Sequence, residues 1–96
     1  MKPDISRAIN NKIILELRYH GFSRTVEPHA YGIDKDHNEI LRCFQTSGGS
    51  RSGEKSGWKL LKVSEIFSLH LTGRKFTSRT GYSRNDKAMI TIFSQL

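Results

Sequence analysis

The stretch Ile13-Ile14-Leu15-Glu16-Leu17-Arg18-Tyr19-His20-Gly21-Phe22-Ser23-Arg24-Thr25-Val26-Glu27 decides the fold class. From Ile13 the apolar period is two: Ile13, Leu15, Leu17 and Tyr19 fall on one face, with Glu16, Arg18 and His20 on the other. Only Ile14 breaks the alternation, and this pattern is that of a half-buried β-strand. His20-Gly21 supplies a turn, and Phe22 to Glu27 returns as a second strand whose run is expected to stop at Pro28, which has no amide hydrogen for a ladder.

Working outward, Asp4 is placed to cap a short helix over residues 4–11, with Ile5, Ala8, Ile9 and Lys12 at helical spacing. Downstream, Asp34 to Asn38 has turn-forming residue types, and Glu39 to Thr46 reads as a third strand carrying Ile40, Leu41, Cys43 and Phe44. Ser47 to Gly57, SGGSRSGEKSG, has too little to bury and is expected to form a mobile loop. Trp58 to Val63 and Phe67 to Leu71 complete the strands. One helix followed by five closely spaced strands predicts a mainly β chain: a small, strongly bent antiparallel barrel over residues 13–72, with residues 73–96 as a basic extension. Its end, AMITIFSQL, is rich in β-branched and aromatic residues and reads as a further strand that closes the barrel or pairs with a second copy, which allows a homodimer.

The 96 residues fit one domain. The single cysteine, Cys43, cannot form an internal disulfide, which points to a reducing, cytoplasmic setting, and no run approaches the roughly 18 apolar residues of a membrane span. A net charge of +7 favours anionic partners. Residues 1–48 hold seven Lys/Arg against six Asp/Glu, whereas residues 49–96 hold nine against three, so the excess belongs to the second half.

The arrangement of an Ile/Ala helix, a strand ending in Tyr19, a turn, Arg24-x-Val26-x-Pro28, a strand containing Leu41 and then Lys59-Leu60-Leu61-Lys62-Val63 leading into Glu65-Ile66 resembles the WYL family over about residues 5–72. Where that family has its naming Trp-Tyr-Leu triplet, this chain has Glu39-Ile40-Leu41. The resemblance implies an SH3/Sm-like barrel, a non-catalytic ligand-sensing role in bacterial or phage transcription regulation or phage defence, and a nucleotide or nucleic-acid ligand. It also implies work alongside a separate DNA-binding or effector protein.

Other motifs carry less. Gly48 and Gly53 have the spacing of P-loop glycines, but Glu54 stands where that motif needs its Lys. His20, His29, His37 and His70 are not paired at metal-ligand spacings, so neither metal nor cofactor is expected. No nucleophile–base order or carboxylate pair stands out, so no catalytic residue is assigned. Cys43 lies among apolar strand residues and reads as a small core side chain.

The ligand-binding candidates are charges on strands, where donors are held in place: Arg18, Arg24, Arg42, Lys59 and Lys62. Arg24 and Arg42 rank first because a guanidinium takes a phosphate bidentately. His29 beside Pro28, Arg51 in the Gly/Ser loop and Trp58 join them, with Tyr31 and Phe44 as further stacking surfaces and Arg74, Lys75, Arg79 and Arg84 as diffuse steering charge. The alternative is a protein-interaction module that pairs through an exposed barrel edge.

Overall fold

The computed structural model describes residues 2–96. The order of elements is α1 (Lys2–Asn10), β1 (Ile13–Tyr19), β2 (Phe22–Ile33), β3 (Glu39–Gly48), β4 (Gly57–Lys62), a single 3₁₀ turn (Val63–Glu65), β5 (Ile66–Lys75) and β6 (Thr91–Gln95). The mainly β class, the leading helix and the five barrel strands agree with the sequence. In β1, Leu15, Leu17 and Tyr19 are buried while Glu16 and Arg18 face out, as the period of two requires.

The β1–β2 hairpin closes on a two-residue turn, with Tyr19 opposite Phe22. His20 (φ 51°) and Gly21 (φ 81°) are both left-handed, the backbone that matches the twist of the flanking strands. Pro28 does not end the second strand. β2 runs on to Ile33, because the register with β3 shifts between Pro28 and Ala30, and a proline is tolerated at such a bulge.

The sheet order is β4-β3-β2-β1-β5, with all neighbours antiparallel. Strands β4 and β5 therefore stand at opposite ends of the sheet, yet only Val63–Glu65 separates them in the chain. That short link bends the sheet strongly towards itself, and with no β4–β5 pairing among the described residues the fold is barrel-like but open. Tyr19 fastens the seam: its hydroxyl accepts from the Lys62 amide at 3.0 Å and donates to Glu65 at 3.4 Å.

The core lies inside the bend. Ile5, Ala8 and Ile9 of α1 are fully buried against Leu15, Leu17, Val26, Tyr31, Leu41, Cys43 and Leu61, the Ile, Leu and Val side chains contributing about 1.5–3 kcal/mol each if fully removed from water. The helix starts at Lys2, which puts Asp4 inside the first turn and not at the cap.

The last strand pairs within the chain. β1 leaves β2 at Val26, and β6 takes over the same edge from Ala30 to Ile33. Gly32 permits this approach, since a Cβ there would collide with the Thr91 carbonyl. Between β5 and β6, residues 76–90 form a strap without helix or strand. It is anchored by buried Phe76 and Met89, the latter in a second apolar cluster with Ala30 and Ile40. Among the described residues no helix is long and apolar enough to cross a membrane.

Candidate functional site at the barrel mouth

Residues directly opposite in an antiparallel pair share a face of the sheet. Arg24 stands opposite Leu17, and Lys59 stands opposite Cys43. Leu17 and Cys43 are core residues, so both cations sit on the inner face of the barrel. Gln45, fully buried, lies beside them on β3. These three, with Tyr19 and Phe22, line the end of the barrel from which the Gly/Ser loop springs.

Arg24 is only 4% exposed, and no carboxylate among the described residues pairs with it. Its Nη1 donates to Gln45 Oε1 at a long 3.4 Å, and its Nε is buried without any partner. The Tyr19 and Phe22 rings lie 5.1 Å and 5.8 Å from the guanidinium carbon, a weak cation–π substitute for a counter-ion. Burial pushes the Arg24 guanidinium below its ordinary pKa, a direction that marks unrelieved desolvation. Holding such a charge away from water costs several kcal/mol unless something neutralises it.

Gln45 ties this charge to the loop. Its Nε2 donates to the carbonyls of Gly49 (3.1 Å) and Lys55 (3.2 Å), one at each end of the Gly/Ser segment. Lys59 Nζ reaches Ser50 Oγ at 3.4 Å and the Glu54 carbonyl at 3.2 Å. Gly49 lies flat against the Phe22 ring, where any Cβ would collide. The neck of the loop is thus held by the Gln45 amide and the Lys59 ammonium, both on uncharged acceptors, while its tip, Arg51 included, is exposed. Cys43 faces the same interior, and burial pushes its thiol up to about 12 even though Arg24, Arg42 and Lys59 pull it down, so it stays protonated and inert as a nucleophile.

The other candidates do not converge here. Arg42 is the main correction: it takes no part in the mouth and donates from Nε and Nη2 to Asp86 of the strap at 2.7 and 3.4 Å. Along β2, Arg24 and the residue opposite Arg42, Ala30, are separated by about 20 Å of strand, so the two guanidinium forks cannot grip one phosphate. Lys62 is exposed at the end of β4, Arg18 lies on the outer face against Ser23 and Gly21, and Trp58 packs outside against Phe44, His29 and Tyr82. Tyr31 is fully buried with its hydroxyl donating to Glu39. Phe44 lies under the Arg79 guanidinium at 4.1 Å.

His29 is no surface ligand contact either. It is fully buried, with Nδ1 2.8 Å from the Glu27 carbonyl and Nε2 accepting the Arg79 amide at 3.0 Å. That pairing requires the neutral ring with its proton on Nδ1, and burial, the larger influence, lowers its pKa. Of the extension's cations, Arg79 is no diffuse charge, since it grips Glu27 bidentately at 3.0 and 3.1 Å; Arg84 Nε donates to the Leu96 carbonyl at 2.9 Å, and Arg74 and Lys75 remain exposed. Sequence reasoning missed Glu27, Gln45 and Asp86. The signal for Asp86 was present, as it is the sole acid after Glu65.

Among the described residues, no three His, Cys, Asp or Glu side chains gather to hold a metal ion. No family model, curated protein or solved structure matches the chain.

Proposed function

We propose that the chain is a non-catalytic ligand-sensing module whose barrel mouth binds the phosphate of a nucleotide, oligonucleotide or single-stranded nucleic acid. The observation that carries this reading is Arg24, a buried guanidinium with an unpartnered Nε and no carboxylate beside it. A phosphate supplies the missing charge and accepts from Nε and Nη together. Lys59 adds a second cation by exchanging its weak contacts to Ser50 and Glu54 for the ligand. Access comes through the Gly49–Ser56 segment, whose neck Gln45 releases as the loop swings aside. The resemblance to WYL domains agrees with such a role, acting with a separate DNA-binding or effector protein.

A second reading has its own observation. β4 and β5 each pair on one side only among the described strands, and Phe67 on β5 is 84% exposed, which favours an edge that docks another protein.

Titration with pyrophosphate and with a short single-stranded oligonucleotide, followed by calorimetry over a salt series, separates the two. With about two phosphates neutralised by Arg24 and Lys59, log K against log[salt] should fall with a slope near −1.4 for a single strand. Binding that is absent, or indifferent to salt, favours the edge reading.

A further inference from the structure

On the opposite face of β3 and β4 from the mouth, the strap and the sheet enclose a groove of about 500 Å³, within the size range of small-molecule sites. Its wall is aromatic. Trp58 and Tyr82 lie 6.2 Å apart at 30°, and Phe44 and His29 meet the indole edge-on at 5.4 and 4.8 Å, fixing its orientation. Trp58 is only half-buried, and its Nε1–H has no acceptor among the described residues. The rim is basic. Asp86 is engaged by Arg42, while Lys87 has no partner among the described residues and Arg84 uses only Nε internally, leaving its terminal nitrogens unpaired.

The floor is held in place before any ligand arrives. Besides the Arg42–Asp86 pair, the Asn85 amide donates to Gln95 Oε1 at 2.9 Å and Gln95 Nε2 returns to Asn85 Oδ1 at 3.2 Å. Asn85 adopts a left-handed backbone (φ 60°) to make this turn, a conformation asparagine tolerates better than most residues.

We propose that this groove binds a nucleoside monophosphate, its base against the half-buried indole of Trp58 beside Tyr82 and its phosphate at Arg84 and Lys87. The groove has room for one ring system with its sugar, a π face for a base, a free N–H for a ring heteroatom or phosphate oxygen, and two cations at one rim. It goes beyond the reading of the barrel mouth, because the two sites occupy opposite faces of the sheet and either can fail without the other.

Trp58 is the chain's single tryptophan, so its emission reports on this groove alone. The probes are adenosine 5′-monophosphate, adenosine and ribose 5-phosphate. The monophosphate should quench Trp58 saturably with half-saturation below about 1 mM, adenosine should bind at least about tenfold more weakly, and ribose 5-phosphate should leave the emission unchanged. Lys87→Ala, at an exposed position, should weaken the monophosphate several-fold, whereas Arg24→Met should leave it unaltered. No saturable quenching up to about 10 mM overturns the proposal. So does equal affinity for adenosine and its monophosphate, and loss of quenching in Arg24→Met would place the ligand at the mouth and overturn it too.

Discussion

Replacing Arg24 by Met should make the protein more stable in the absence of anions, although it deletes a hydrogen bond and two ring contacts. The ledger follows from the surroundings of the side chain. Losing the 3.4 Å bond to Gln45 costs about 1 kcal/mol, and leaving Gln45 Oε1 unpaired costs about 1 kcal/mol more. The contacts to Tyr19 and Phe22, both beyond 5 Å, are worth about 0.5 kcal/mol each. Against this stands the desolvation of a guanidinium only 4% exposed with no counter-ion, a penalty of several kcal/mol that the substitution removes. Methionine is unbranched and flexible enough to fill most of the vacated space. The net gain should be about 1 kcal/mol or more, which raises Tm by about 4–8 °C in a domain of this size. Differential scanning calorimetry in a buffer free of phosphate and sulfate measures it. A Tm that falls by several degrees would refute the reasoning, since Arg24 would then be a structural asset whose charge is already satisfied.

Three further outcomes are expected. Arg42→Ala should destabilise by about 1.5–3 kcal/mol in urea melts, because it strands the Asp86 carboxylate, 12% exposed, without its cation; pyrophosphate affinity should not change. Stability should decline as pH drops below about 6.5, because the unfolded chain then protonates a histidine that the native state holds neutral at position 29; His29→Gln should flatten that part of the pH profile. The Arg42–Asp86 pair adds a second loss at lower pH, since the depressed native pKa of Asp86 makes its contribution present above about pH 4 and absent once it is protonated. Gly32→Ala should cost about 2–3 kcal/mol and raise amide exchange in β6, because the new Cβ pushes against the Thr91 backbone.

The hairpin was legible because its alternation and its His20-Gly21 turn point the same way. The helix was legible to within two residues at its start. The continuation of β2 through Pro28 was not, since only the bulge removes the need for an amide at that position, and a bulge has no local signature here. The pairing of β6 with β2 joins residues about 60 positions apart, beyond the reach of local pattern.

The site was legible in part. Arg24 was singled out as a strand charge without its face, but a two-residue turn at His20-Gly21 fixes Tyr19 against Phe22 and so Leu17 against Arg24, which places the arginine on the apolar face. Hairpin register alone therefore held the information that its charge is buried. The engagement of Arg42, Arg79 and His29 by the strap was hidden, because it depends on where an irregular segment crosses the sheet, and irregular backbone follows no period.

The buried Nε–H of Arg24 offers the most direct test of the anion site. Shielded from water and without a partner, it should give a resolved ¹H–¹⁵N resonance that is absent in Arg24→Met. On titration with pyrophosphate this resonance should shift downfield and saturate, as a charge-assisted hydrogen bond forms, with the same midpoint as the calorimetric isotherm. A resonance that stays in place while pyrophosphate saturates, or a protein that takes up no pyrophosphate at all, would contradict the account.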